Sequence, residues 1–354
     1  MLNYREGLVD MPLYDTREQD WHIKINANES NVGLPPLVEE RVMTRLSRIS
    51  YARYPNEEYD LLREQIGEAY GYQQENVIIG NGSSEIIEKV FHAFGGDQAH
   101  KIVYPSPSFS MYSIYAAAAG AVGMPVPLRD DYQLDVEEFV RTVNQNNASL
   151  AVICNPNNPT GQVMATEEIN YIAEHISCAF LVDEAYAEFC TCTAMSLLKK
   201  HSHLMIARTF SKAYALAACR VGYMLADLHV IEMIGKTYMP YHMNVPSLIT
   251  ADTVFQMRTE FEPQIQMICA ERERMQEKYL LLAGVTVYTS HANFILIHYP
   301  YAEELNAALI KYGIGVRSFG KAPQLENTLR ISIGRPDEND EVYRVIKSFV
   351  EAHP

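Results

Sequence analysis

The chain is predicted to fold as an α/β protein, and two observations carry that prediction. Between about residues 75 and 235, short apolar, β-rich runs alternate with segments of helical spacing. Strands that alternate with helices pair in parallel, in a sheet covered on both faces. The runs are also continuously apolar rather than alternating, as burial on both faces requires. After residue 245 the character changes to a long charged segment followed by shorter elements, the pattern of a smaller α+β unit.

In chain order, the predicted strands of the larger unit are 76–79, 101–104, 150–154, 179–182, 204–207 and 221–225. The run Ala179-Phe180-Leu181-Val182 is the clearest, because it leads straight into Asp183 and Glu184. Beyond it, 261–282 has amphipathic helical spacing, 285–288 and 294–298 read as strands, and 302–312 reads as a helix. A strand over 328–333 and a helix over 338–352 complete the set. The first ~30 residues are too few to fold alone and are expected to join the C-terminal unit. The expected division is a large domain over 34–250 and a small domain built from both termini, 1–33 with 251–354.

Hydrophobic residues make up 48% and charged residues 21% of the 354, enough for a sizeable core and unlike a disordered chain. Lys and Arg total 29 against 44 Asp and Glu, a net charge of −15. Such a surface repels nucleic acid and anionic membrane, so neither is an expected partner. An anionic ligand must then be held by a few local cations. The most apolar stretch, 114–128, carries Pro125 and Pro127 and falls short of the ~20 residues a span requires. With no basic-then-apolar leader, a cytoplasmic location is expected. The cysteines at 154, 178, 190, 192, 219 and 269 lack zinc-site spacing, so no metal is expected and the thiols read as reduced. The Cys190/Cys192 pair is read the same way.

Ligands of open α/β sheets sit beyond the carboxyl ends of the strands, and four polar segments follow predicted strands. Gly80-Asn81-Gly82-Ser83-Ser84-Glu85 opens a helical run; its free N–H groups suit an anion, although a plain turn with a Ser cap is the simpler alternative. Cys154-Asn155-Pro156-Asn157-Asn158-Pro159-Thr160-Gly161 is either a rigid turn or a set of carboxamides aimed at a ligand oxygen. Asp183-Glu184-Ala185-Tyr186 puts an acid at the mouth of an apolar strand, which requires a cationic partner, either a ligand or a structural ion pair. Arg208-Thr209-Phe210-Ser211-Lys212 sets a lysine among hydroxyls after a buried strand, with Arg220 eight residues on. A lysine so placed is a candidate for a tuned amine.

In combination these segments resemble the pyridoxal-phosphate (PLP) enzymes of the aspartate-aminotransferase fold, fold type I. The resemblance spans nearly the whole chain and is strongest to the histidinol-phosphate aminotransferase family. It is carried by Asn26-Ala27-Asn28-Glu29, Arg53-Tyr54-Pro55, GNGSSEII, CNPNNPTG, VDEAY, TFSKAYALAACRVGY and LRISIGRPDEN. Ser84 stands where that family often has an acid, and Phe109 where it often has tyrosine.

The resemblance implies a role for each matching residue. Lys212 is to form the Schiff base with the cofactor aldehyde and then shuttle the α-proton. Asp183 is to meet the pyridine nitrogen, Asn158 and Tyr186 the phenolate oxygen, and Phe109 the ring face. Ser83, Ser84, Thr209, Ser211 and Arg220 are to hold the phosphate, joined by Tyr54 from a neighbouring subunit. Arg330 is to clamp the substrate carboxylate; Arg317, in GVRSF, is either a second anion contact or a surface arginine. Asn28, Tyr14 and Tyr241 match further positions near the substrate, and the tyrosine aligned with Tyr241 also serves the partner's site. The implied function is transamination between histidinol phosphate and 2-oxoglutarate in histidine biosynthesis, by a homodimer with shared active sites. The alternatives are an aromatic aminotransferase, a PLP lyase like threonine-phosphate decarboxylase, and a non-catalytic PLP-binding regulator. That last reading expects an attached DNA-binding domain, for which the anion turn near residue 80 leaves no room.

Overall fold

The computed structural model describes residues 19–55 and 57–353, so Tyr14 lies outside the described residues. In chain order its strands are β1 Ile23–Lys24, β2 Val77–Asn81, β3 Lys101–Ser106, β4 Val122–Pro127, β5 Leu150–Cys154, β6 Ala179–Asp183 and β7 Leu204–Thr209. They continue as β8 Val221–Ala226, β9 Thr286–Val287, β10 Phe294–His298, β11 Ile314–Gly315, β12 Arg317–Ser318 and β13 Thr328–Ser332. The central sheet has the order β2-β8-β7-β6-β5-β3-β4. Neighbours from β7 to β4 run parallel, whereas β8 is antiparallel to both β7 and β2.

Every residue of β5 and of β7 is buried. Successive residues feed two separate apolar clusters: Phe180 and Val182 lie in one, Leu181 in the other. That division is the structural meaning of the unbroken apolar runs, because each strand has a covered face on either side. Helix Gly82–Phe94 turns Ile86, Ile87, Val90 and Phe91 onto one cluster. Helix Val136–Gln145 turns Phe139, Val140 and Val143 onto the other, its start capped by Asp135, which accepts from Glu138 N at 3.0 Å.

Two features differ from the sequence prediction. Strand β4 falls inside the stretch broken by Pro125 and Pro127; it pairs only with β3, at the sheet edge, where proline's missing N–H leaves no gap in an inner ladder. Strand β8 reverses direction. The loop between Thr209 and Val221 carries Lys212 and no helix, so it makes no parallel crossover and the chain returns antiparallel. A second sheet, β12-β13-β10-β9, is antiparallel throughout, and β1 pairs with β11. Among the described residues, no helix is long and apolar enough to cross a membrane.

Candidate active site

The ends of β2, β5, β6 and β7 meet the start of the reversed β8 at one edge of the sheet, around a cleft of about 420 Å³. Ser83, Ser84, Phe109, Asn158, Asp183, Tyr186, Thr209, Ser211, Lys212 and Arg220 line it from the large sheet's side. Arg317 and Arg330 enter from the second sheet, and Asn28 from the N-terminal segment.

At one end, donors converge. Gly82 adopts φ +79°, and a Cβ there would lie 2.5 Å from Arg220 Nη2. A Cβ on Gly222 would lie 2.3 Å from Ser83 N. These two glycines let β8 and the Arg220 guanidinium press against the first turn of helix Gly82–Phe94. Glu85, not a serine, caps that turn: it accepts from Asn81 N at 2.6 Å and Asn81 Nδ2 at 3.0 Å. Thr209 Oγ1 donates to Ser211 Oγ at 3.0 Å, and Arg220 Nη1 reaches the same oxygen at 3.4 Å. Arg220 itself holds φ 53°, a strained backbone for a side chain of its size. A guanidinium, two hydroxyls and a helix N-terminus form a cup for an oxyanion.

At the other end lie the titratable groups. The Lys212 Nζ donates to Ala27 O at 2.8 Å. Burial, with Arg330 nearby, lowers its ammonium pKa to about 7, so much of it is uncharged near neutrality. Asp183 is buried, which pushes its carboxyl up to about 6. Its oxygens take hydrogen bonds from Tyr112 Oη at 2.9 Å and Ala185 N at 3.2 Å. The neighbouring Glu184 points to the opposite face and takes Arg208 in two bonds, at 2.9 and 2.7 Å. The structural ion pair therefore belongs to Glu184, and Asp183 is left to the cleft.

Two contacts orient donors toward the space between Lys212 and Asp183. Asn28 Nδ2 donates to Tyr186 Oη at 3.0 Å, so the phenol's own proton is directed elsewhere. Arg330 Nη1 donates to Asn158 Oδ1 at 2.6 Å, which turns the carboxamide Nδ2 away from Arg330. Asn155 and Asn157 instead brace the turn, through Met164 N at 2.8 Å and through Pro107 O and Thr160 Oγ1 at 3.0 and 2.9 Å. Arg330 also donates to Asn26 O at 2.7 Å and lies over the Phe294 ring, directly across β12–β13 from Arg317. Asn28 lines the cleft with its side chain engaged by Tyr186 and Ser332. Tyr54 and Tyr241 stay outside, stacked on each other at 4.6 Å and exposed by 76% and 60%. The sequence reading missed Tyr112; its one signal was a position one helical turn after Phe109.

The profile of the family described as "Aminotransferase class I and II" matches residues 22–346. The chain belongs to the class I and II aminotransferases. It is 35% identical over 98% of its length, and 98% of the relative's, to a histidinol-phosphate aminotransferase of Thermoanaerobacter sp. (strain X514). A histidinol-phosphate aminotransferase of Pyrococcus furiosus is 34% identical over 98% of both chains. The structure superposes on that of histidinol-phosphate aminotransferase from Sinorhizobium meliloti in complex with pyridoxal-5'-phosphate with a TM-score of 0.87. At 23% identity, over 95% of this chain and 93% of that one, this likeness concerns the fold. The aminotransferase cleft has the features that such a cofactor needs. The two glycines open a cradle for an oxyanion, a buried carboxylate faces a cleft with only hydrogen-bond donors on its oxygens, and a low-pKa amine stands opposite.

Proposed function

We propose that the protein is a PLP-dependent transaminase that exchanges the amino group between histidinol phosphate and 2-oxoglutarate. The observation that carries the reading is Asp183, a buried carboxylate in a cleft that also holds a low-pKa lysine and an oxyanion cup. When bound, the pyridoxal ring supplies an electron sink that an amine substrate lacks. The cup of Ser83, Ser84, Thr209, Ser211 and Arg220 binds its phosphate. Asp183 would keep a proton on the ring nitrogen, Asn158 and Tyr186 would donate to the ring oxygen, and Phe109 would cover a ring face. Lys212, whose burial lowers its pKa to about 7 so that a neutral amine is available near neutrality, would hold the cofactor and move the substrate's α-proton. Arg330 takes the carboxylate of the acid substrate, and Arg317 a second anionic group. Asn28 acts through Tyr186.

The substrate assignment follows the curated relatives, since L-threonine-O-3-phosphate decarboxylase from Porphyromonas gingivalis shares the fold at 21% identity and a TM-score of 0.81. In our reading the large domain spans 34–250, and 1–33 with 251–354 form the small one. Two copies pair, and the exposed Tyr54 and Tyr241 of each complete the other's cleft. Incubation with histidinol phosphate and 2-oxoglutarate tests the function: glutamate should form with loss of the amine, one for one. Absence of glutamate with this pair, with turnover on another amine or with release of carbon dioxide from an amino acid, would overturn it.

A further inference from the structure

We propose that Tyr112 is a positioning residue of this reaction that acts through Asp183, an inference that rests on the cofactor reading above. Tyr112 lies in the first turn of helix Met111–Ala118 and exposes no surface. Its hydroxyl donates to Asp183 Oδ2 at 2.9 Å, while Ala185 N donates to Oδ1 at 3.2 Å. One bond on each oxygen fixes the plane of the carboxylate. With about four acceptor sites in all, the group keeps capacity for a ligand proton.

The ring that carries this hydroxyl is held on several sides. Phe91 stacks near-parallel at 6.1 Å, Phe109 meets it edge-on at 5.5 Å, and Tyr104 tilts against it at 6.1 Å. The donor therefore sits on a packed element instead of a loop, which is what precise placement of a site group requires. Burial and the Asp183 charge keep the phenol far above its ordinary titration range, so it stays a donor. Cys154, paired with Asp183 across β5 and β6, directs its thiol to Pro156 O at 3.3 Å. Asp183 is thus oriented by neutral donors, and its charge is not spent on a protein cation. Without the hydroxyl, one oxygen loses its anchor and the carboxylate is free to turn from the ring nitrogen.

The test compares the holoenzyme with Tyr112→Phe, which retains the ring and its packing. Cofactor release should be about tenfold to hundredfold faster and kcat lower by a similar factor, the span of one hydrogen bond to a charged group. KM for both substrates should not change, because the Arg330 side is untouched. In an Asp183→Asn background the same substitution should change neither quantity, since its effect passes through the carboxylate. Wild-type release and kcat in Tyr112→Phe would overturn the inference, as would equal losses in both backgrounds or a fall in thermal stability without a kcat effect. A wild-type protein that binds no PLP would instead overturn the functional reading itself.

Discussion

At the scale of single residues, the cleft holds two groups at unfavourable charge states, and both are measurable. Asp183 titrates near pH 6 in the folded protein against 3.8 ordinarily, because burial penalises its charge. A raised carboxyl pKa means that the folded state binds the extra proton, so stability falls as pH rises from about 4 to about 6 and stays low above it. In the cofactor-free protein, Asp183→Asn should therefore raise the unfolding free energy at pH 7–8 by on the order of 3 kcal/mol, read as a higher melting temperature. The gain should vanish below pH 4; a gain that persists there would place the cause outside the carboxylate's charge. Arg330 gives a second residue-scale prediction. Histidinol phosphate has no α-carboxylate, so Arg330→Ala should raise KM for glutamate at least tenfold, the loss of about 1.5–3 kcal/mol per charged hydrogen bond. A much smaller rise for histidinol phosphate is expected, and equal rises would refute the clamp.

At the scale of elements, the oxyanion cup depends on the fit between the turn before helix Gly82–Phe94 and the start of β8. Gly82→Ala puts a Cβ 2.5 Å from Arg220 Nη2 and forces a left-handed backbone on a side chain, at about 1–2 kcal/mol. Its cofactor affinity should fall by an order of magnitude or more. Gly235→Ala, where a Cβ meets nothing within 4 Å, should bind cofactor like wild type. If both variants bind equally well, the cup does not depend on this contact. The same elements explain what was legible in the sequence. Buried strands such as Leu150–Cys154 announced themselves as unbroken apolar runs, and the last residues of three of them, Cys154, Asp183 and Thr209, line the cleft. Strand Val122–Pro127 was hidden because prolines signal a break and only an edge position tolerates them. The reversal of β8 was hidden because direction depends on the loop around Lys212, which strand propensity does not report. Tyr112 was missed because its partner, Asp183, lies 71 residues away in sequence. The roles of Asn155, Asn157 and Asn158 could not be separated before the turn's hydrogen bonds were seen, since composition makes the three alike.

At the scale of the whole molecule, the stacked Tyr54 and Tyr241 rings lie exposed outside their own chain's cleft. In the two-fold pair proposed above, each such surface would complete its partner's site. Mixing Lys212→Ala subunits with Tyr54→Phe subunits should then restore one intact site per heterodimer, with wild-type-like cofactor affinity and activity. No recovery after subunit exchange, or a monomer in sedimentation at assay concentration, would refute shared sites. The account as a whole rests on Lys212 and the cleft carrying out half of a transamination on an amine that has no carboxylate. The most direct measurement is an absorbance titration of the purified holoenzyme with histidinol phosphate in the absence of any oxo acid. The lysine-linked cofactor band should convert to the pyridoxamine-phosphate band, one equivalent per site, and added 2-oxoglutarate should reverse it with release of glutamate. A spectrum that stays unchanged at saturating histidinol phosphate, or that converts equally in Lys212→Ala, would contradict the account.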